Sequence, residues 1–199
     1  MEERAVLLVV DMQVDFCPGG SLAVPGGDDI IPVINRYIEL CQRYRIAIFA
    51  SRDWHPPVTT HFKTYGGLWP PHCIQGTEGA RFHPLLRLPD KVTVFSKGMD
   101  PDKDDYSTFH ALCDAGYYLD DRLKKEGVRR LYLCGLATDY CVRQSSLDAL
   151  RAGYAVTVFV DAVKGVDLTP GDSQRALQEI SQAGAELMDL AEFEKRCLR

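Results

Sequence analysis

The run AVLLVV, residues 5–10, is apolar at every position and is followed directly by the acidic residue Asp11. A strand with one wet face alternates apolar and polar residues, whereas a strand that is apolar throughout is buried on both faces. This run therefore predicts a central strand of a parallel sheet that has helices packed on both sides.

Five further apolar runs follow along the chain: IAIFAS at 46–51, VTVF at 92–95, LYLCG at 131–135, AVTVFV at 155–160 and, more weakly, ELMDL at 186–190. Helical patterns separate several of them, at 28–44, 107–126, 139–152 and 172–183. Three of these patterns end at a glycine suited to a helix C-cap, namely Gly127, Gly153 and Gly184. We therefore predict an α/β fold with three layers, α/β/α, around a mostly parallel, doubly wound sheet of about six strands.

Composition and charge narrow the class of protein. The chain has 199 residues, of which 46% are hydrophobic and 26% charged, which predicts one folded domain over 1–199. The net charge of −5 and the lack of a long basic run argue against nucleic acid as a partner. The N-terminal apolar run is too short for a membrane span or a signal peptide, and the seven cysteines include no C-x-x-C pair. We therefore expect a cytoplasmic protein with reduced thiols and no membrane partner.

Reactive residues follow the predicted strands. Ligands of open parallel sheets bind beyond the carboxyl ends of the strands. Asp11 follows the first run, Asp53 the second, Lys97 the third, the segment 137–141 the fourth and Asp161 the fifth. Carboxylates, an amine and a thiol are thereby predicted to meet at one edge of the sheet, and four of these five positions suit a shared chemical site.

Cys141 is the candidate nucleophile. It lies in the first turn of the helix predicted to start at Thr138 or Asp139, where free N–H groups and the helix dipole stabilise a thiolate. The alternative is an inert cysteine packed under a helix start. Asp11 is either the base that accepts the thiol proton or a turn-capping aspartate. Lys97 is either a solvated lysine or the cation that keeps Asp11 ionised and favours the thiolate.

The segment SRDWHPPVTTHFKTYGGLWPPHC, residues 51–73, carries three of the five histidines of the chain. Together with the carboxylate before them they offer one oxygen and three nitrogens, a donor set suited to zinc, iron or manganese. We predict a metal-binding loop at about 53–76; the alternative is a loop of exposed histidines. The candidate ligands are Asp53, His55, His61 and His72.

Several stretches of this sequence match one known pattern in order and spacing. They are VVDMQVDFCPGGSLAVPGG at 9–27, SRDWHPP, HF and WPPHC within the histidine-rich segment, FSKG at 95–98 and GLATDYCV at 135–142. In these stretches, which span about two thirds of the chain, the sequence resembles the nicotinamidases of the isochorismatase-like cysteine hydrolase family. The resemblance implies the isochorismatase-like hydrolase fold.

The resemblance also implies roles for individual residues. It implies a catalytic triad of Asp11, Lys97 and Cys141, and an oxyanion hole formed by the N–H groups of Ala137 and Cys141 beside a cis peptide between Leu136 and Ala137. It implies one divalent metal, foremost zinc with iron or manganese as alternatives, bound by Asp53, His55 and His72; His61 stands where only some members supply a further ligand. It implies a ring pocket lined by Phe16, Trp69 and Tyr106.

The activity implied by the resemblance is hydrolysis of nicotinamide to nicotinate and ammonia through a thioester on Cys141, with the metal orienting the pyridine nitrogen. Pyrazinamide is a further candidate substrate. Two alternatives remain at this point: a sibling cysteine amidase acting on another small amide, and a non-catalytic metal-binding module. The sequence leaves open whether the chain forms a homo-oligomer and what the acidic loop at 99–105 does.

Overall fold

A computed structural model describes residues 4–198. Its centre is a sheet of seven strands in the order β4-β3-β2-β1-β5-β6-β7. Every neighbouring pair is parallel except β3 and β4, which are antiparallel. The strands are β1 (Ala5–Val10), β2 (Ala47–Asp53), β3 (Thr93–Lys97), β4 (Leu112–Cys113), β5 (Arg130–Leu136), β6 (Ala155–Lys164) and β7 (Glu186–Met188). The predicted three-layer, mostly parallel α/β fold is confirmed, with one more strand than expected.

Helices cover both faces of the sheet. They are α1 (Ile31–Arg43), α2 (Leu119–Glu126), α3 (Arg143–Arg151), α4 (Asp172–Gln182) and α5 (Leu190–Cys197). None of the helices among residues 4–198 has the length and apolar character needed to cross a membrane.

The central strand β1 explains why both faces need a helical layer. Its side chains at Leu7 and Val9 pack into a buried cluster with α1 and α5, whereas those at Val6, Leu8 and Val10 pack into a second cluster with α2, α3 and α4. Successive side chains of a strand point to opposite faces, so a continuous apolar run supplies the core on both sides.

The predicted helix at 107–126 is wrong over its first half. A single 3₁₀ turn, the strand β4 and a tight turn occupy that half, and only α2 is helical. Gly116 adopts a φ of 78° in the turn and donates its N–H to the carbonyl of Cys113 at 2.8 Å. A glycine with a positive φ lets the chain reverse at this point, which ends any helix and creates an antiparallel edge strand.

Two other elements differ from the sequence prediction. The helix α5 was not predicted, although Asp189 and Glu192 form a capping box at its start, a pattern that the sequence displays. The strand β6 continues to Lys164, so Asp161 lies within the strand. Its carboxylate accepts hydrogen bonds from the Tyr37 hydroxyl at 2.8 Å and from the Leu190 N–H at 3.0 Å. Asp161 therefore fastens α1 and α5 to the sheet.

Candidate active site

Three strand ends bring Asp11, Lys97 and Cys141 together. Asp11 follows β1 with a φ of 48°, Lys97 is the last residue of β3, and Cys141 lies in the turn after β5. The Lys97 ammonium is 2.8 Å from Asp11 Oδ2 and 3.3 Å from Cys141 Sγ. All three side chains are buried. The cluster therefore places a nucleophile, a carboxylate and a cation within contact of one another, away from bulk water.

Burial and mutual charge set the protonation states of this cluster. Burial raises the pKa of Asp11, and the charge of Lys97 opposes that rise. Burial by itself would lower the pKa of Lys97, but the carboxylates of Asp11 and Asp53 outweigh it and raise that pKa well above its ordinary value. The lysine therefore stays cationic. Burial also raises the pKa of Cys141 well above its ordinary value, so the resting sulfur is a thiol that needs a base.

The turn that carries Cys141 differs in detail from the predicted helix start. The residue that precedes the helical turn is Ala137, and Thr138–Val142 form one wide π-helical turn before α3 begins. The N–H of Val142 reaches back to the Ala137 carbonyl at 3.1 Å. The peptide bond between Leu136 and Ala137 is cis, as the family resemblance implied. Cys141 thus lies at the N-terminal end of the helical segment, and Ala137 lies beside it in the same pocket.

Short bridges fold the histidine-rich loop. His55 donates its N–H to the Cys73 carbonyl at 3.0 Å and accepts from the Gln75 N–H at 2.9 Å, which places it alongside the segment that contains His72. A second bridge pairs Phe62 with Trp69 and brings in His61. Between β2 and β3 the only helical element is one 3₁₀ turn, Lys63–Tyr65. The loop thus stays irregular, yet all three of its histidines are buried.

The three histidines suit a metal. One ring nitrogen from each of His55, His61 and His72 lies within 4.8 Å of the others. The Nδ1 of His55 lies 2.9 Å from the Gly98 carbonyl, and that of His72 lies 2.8 Å from the Pro70 carbonyl. Carbonyls only accept, so both Nδ1 atoms donate and both Nε2 atoms keep a free lone pair. The Nε2 of His55 is buried without a hydrogen-bond partner, as expected for an atom that binds a metal.

Asp53 contacts both the Asp11, Lys97 and Cys141 cluster and the histidines of the loop. Its Oδ1 accepts a hydrogen bond from Lys97. Its Oδ2 lies 3.7 Å from His55 Nε2 and 3.9 Å from His72 Nε2. Burial opposes ionisation of this carboxyl, but Lys97 and the two histidines outweigh it and hold its pKa well below the usual range. Burial lowers the pKa of His72 to about 4, so its ring is neutral at neutral pH. This donor set suits a divalent cation.

An aromatic pocket opens beside Cys141. The Trp69 indole N–H donates to the Tyr106 hydroxyl at 2.9 Å, and Tyr140 packs edge-on against the Trp69 ring with centroids 4.9 Å apart. Phe16 lies on the His72 side, with ring centroids 5.4 Å apart. The lining residues are Phe16, Leu22, Asp53, His61, Trp69, His72, Tyr106, Ala137, Tyr140, Cys141 and Val166. The three aromatic residues predicted from the resemblance all line this pocket; Leu22, Tyr140 and Val166 were not predicted.

Several supporting residues were also missed by sequence reasoning. The buried amide of Gln13 accepts from the Asp53 N–H at 2.7 Å and donates to the Asp53 carbonyl at 2.8 Å, which fixes the backbone of that residue. Ser51 donates to Asp11 Oδ1 at 2.7 Å. Asp15 accepts from the Cys73 N–H at 2.7 Å and ties the N-terminal loop to the histidine-rich loop. All three lie within the stretches that match the family pattern, but the sequence alone does not show these contacts, because the partners are remote in the chain.

Comparison with known proteins agrees with this geometry. The isochorismatase domain model matches residues 5–192. The chain is 44% identical to the nicotinamidase of Escherichia coli (strain K12), with 98% of this chain and 99% of that protein covered. The pyrazinamidase of Pyrococcus horikoshii in complex with zinc superimposes with a TM-score of 0.86 at 45% identity, over 94% of this chain and 99% of the other. PnC1 from L. infantum in complex with nicotinate gives a TM-score of 0.85 at 36% identity, over 96% of each chain.

Proposed function

Because the chain belongs to the isochorismatase domain family, we propose that it is an amidase that hydrolyses nicotinamide to nicotinate and ammonia. The observation that carries this proposal is a buried cluster of a thiol, a carboxylate and an ammonium, whose thiol lines a pocket beside candidate metal ligands. The nicotinamidase and pyrazinamidase relatives support the choice of a small pyridine-type amide as substrate.

The first half of the reaction forms a thioester. Asp11 accepts the Cys141 proton while the sulfur attacks the amide carbon, and the carbonyl oxygen takes up the electron pair. The raised pKa of Asp11 makes it a stronger base toward this thiol. Lys97 stabilises the developing thiolate from 3.3 Å. We assign stabilisation of the oxyanion to the N–H groups of Ala137 and Cys141. The C–N bond then breaks, and Asp11 returns its proton to the departing amine, which leaves as ammonia.

The second half regenerates the enzyme. Asp11 accepts a proton from an attacking water, whose oxygen adds to the thioester carbon. When the tetrahedral adduct collapses, the C–S bond breaks, Asp11 returns its proton to the Cys141 sulfur, and the carboxylic acid that forms loses its remaining proton to solvent. Nicotinate leaves, and Asp11 is again a carboxylate. A single buried carboxylate thus serves both halves, because the proton it accepts is returned within each half.

We assign metal binding to Asp53, His55 and His72, and we assign His61 as a fourth ligand. When bound, a divalent metal supplies a coordination position for the ring nitrogen of the substrate. The donor set suits zinc first, and iron or manganese as well. The protein orients the substrate by holding these ligands beside the aromatic wall of Trp69, which fixes the carboxamide against Cys141 and makes the attack effectively unimolecular.

The aromatic residues of the pocket suit the ring of the proposed substrate, and the cysteines bear on the compartment. Trp69, Tyr106 and Phe16 offer flat apolar surface to a six-membered ring, and pyrazinamide presents the same ring shape with a further nitrogen. All seven cysteines are free thiols in the structure, which supports a reducing, cytoplasmic location.

Ammonia release with nicotinamide tests the proposal. Purified wild-type protein should release ammonia and nicotinate in equal amounts. Cys141→Ala should lose at least about 1,000-fold in kcat while keeping its metal and its fold, because the sulfur is the nucleophile. Cys197→Ala, at the half-buried end of α5, is the matched control and should keep its activity. Retained activity in Cys141→Ala would rule out this cysteine as the nucleophile. Wild-type activity on another small amide alone would favour the sibling-amidase alternative.

A further inference from the structure

The acidic loop at 99–105 touches the histidine cluster at one point. The Nδ1 of His61 is hydrogen-bonded to a carboxylate oxygen of Asp104. The two side chains differ sharply in exposure, since that of His61 is 3% exposed and that of Asp104 is 58% exposed. Of the acidic residues in this loop, Asp105 instead pairs with His110, which lies outside the cluster, at 2.8 Å. Asp104 therefore reaches into a buried site from the surface.

This partner distinguishes His61 from the other two histidines. His55 and His72 both donate their Nδ1–H groups to backbone carbonyls. Among the three clustered histidines, His61 is the one whose Nδ1 is bonded to a carboxylate. A carboxylate bonded to one nitrogen of an imidazole fixes the tautomer and makes the other nitrogen a stronger donor to a metal. His61 is thus held with its Nε2 as the metal-binding nitrogen.

Hydrogen bonds to its backbone hold the acidic loop in place, although the Asp104 side chain itself is exposed. The carbonyl of Pro101 accepts three hydrogen bonds from the strip of chain just before His61. The donors are the Thr60 N–H at 2.8 Å and the hydroxyls of Thr59 and Thr60, each at 3.0 Å. These bonds fasten the acidic loop to the loop that carries His61 and keep the two side chains in register.

Charge balance gives Asp104 a second effect. Asp53 shares its carboxylate between the histidines and Lys97, and Lys97 also pairs with Asp11. With the two aspartates ionised and the lysine protonated, this group carries one net negative charge, which compensates only half of a divalent cation. Asp104 is the next carboxylate joined to the histidine cluster by a hydrogen bond. A negative charge on Asp104 adds a smaller contribution of the same sign, because its exposed side chain is screened by solvent.

We propose that Asp104 is a positioning residue that fixes His61 as a metal ligand and thereby raises the affinity of the site for a divalent cation. The inference rests on the proposed metal site and gives the acidic loop a role in it. Loss of a residue that orients a metal ligand costs about 10- to 100-fold in metal affinity.

Metal affinity measured without substrate tests this proposal. The experiment titrates four metal-free proteins with Zn²⁺ against a chelator, and with Co²⁺ followed by visible absorption. They are the wild type, Asp104→Asn, Asp104→Ala and the control Asp105→Asn. Asp104→Ala should weaken Zn²⁺ binding by about 10- to 100-fold and alter the Co²⁺ spectrum. Asp104→Asn, which keeps an acceptor but loses the charge, should fall between Asp104→Ala and wild type. Asp105→Asn should match wild type.

A double-mutant cycle separates positioning from a general effect on the fold. In a His61→Ala background, Asp104→Ala should cause a much smaller further loss of affinity, because positioning passes through His61 and only the screened effect of an exposed charge remains. Wild-type affinity and an unchanged Co²⁺ spectrum in Asp104→Ala would overturn the inference and leave the proposed function intact. A full additional loss in the His61→Ala background would also overturn it. Failure of the wild type to bind either metal would overturn both this inference and the proposed metal site.

Discussion

Asp53 and Lys97 are register partners at the ends of the parallel strands β2 and β3, and their side chains form a buried ion pair. The pair joins two groups of residues, because Lys97 also contacts Asp11 and Cys141 while the other oxygen of Asp53 faces the histidines. Parallel register places these two side chains next to each other without any loop rearrangement. The proposed reaction centre and the proposed metal site are thus held at a fixed separation by the sheet.

The base proposed for the reaction predicts a defined pH dependence. The carboxylate form of Asp11 is required, so kcat/KM should fall as pH decreases through its pKa, which burial raises. Ser51 donates to this carboxylate and favours its charged form. Ser51→Ala should therefore move the acidic limb of the pH profile to higher pH. Ser146→Ala, at a buried serine of α3 outside the site, is the control. If the acidic limb of the pH profile does not shift in Ser51→Ala, a group other than Asp11 determines that limb.

Removal of the base itself should be far more severe. Asp11→Asn keeps the shape of the side chain but cannot accept the thiol proton. We expect kcat for nicotinamide to fall by about 100- to 10,000-fold, with metal content unchanged. Near-normal rates in this variant would mean that a different residue serves as the base. Steady-state ammonia release and elemental analysis of the same preparations provide the two measurements.

The ring nitrogen of the substrate should decide its turnover. Benzamide has the shape and the amide of nicotinamide but offers no ring nitrogen to the metal. We expect kcat/KM for benzamide to be at least about 100-fold lower, or roughly 2.7 kcal/mol. Picolinamide, with its nitrogen ortho to the carboxamide, should bind but turn the carboxamide away from Cys141. Kinetics on the three amides, with and without a chelator, measure this. Equal turnover of benzamide and nicotinamide would contradict a role for the metal in orientation.

Gly98 should be required for the metal site for steric reasons. A Cβ atom at this position would lie 2.4 Å from Cε1 of His55. Gly98→Ala should therefore displace the His55 ring and weaken Zn²⁺ binding by about tenfold or more. Gly66 also has a positive φ, but a Cβ atom there meets nothing within 4 Å. Gly66→Ala should lose about 1–2 kcal/mol of stability through its backbone alone and keep its metal affinity. Equal metal affinities in the two variants would contradict this prediction.

The metal-free protein should lose stability on acidification. Burial lowers the pKa of His72 from an ordinary value of 6.5 to about 4. The unfolded chain therefore binds this proton more readily, so the contribution to stability is complete above the unfolded pKa and is lost as pH falls through the folded one. His72 alone should contribute about 3 kcal/mol to this loss. Urea unfolding of the metal-free protein between pH 4 and pH 7 measures the change in the free energy of unfolding. In His72→Gln the free energy of unfolding should depend less on pH. In His110→Gln, which changes an exposed histidine, it should depend on pH as in wild type.

The sequence by itself determined the layered sheet and the residue types of the site. Apolar runs such as 5–10 specify buried parallel strands, and the carboxyl ends of such strands share one edge, so Asp11, Lys97 and the segment around Cys141 were predicted to converge. The resemblance to a known family added the individual roles. Turns were predicted less well than strands, since the helix predicted across Gly116 is interrupted by a turn at that residue.

Only the tertiary structure decided how these residues share charge and hydrogen bonds. The two oxygens of Asp53 face different partners, Gln13 fixes the backbone of that residue, and Asp104 joins His61 from a loop about forty residues away. Each of these contacts joins segments that are distant in the chain. Periodicity and motif spacing report which face a side chain occupies, but the partner it meets depends on how strands and loops pack, which is a property of the whole fold.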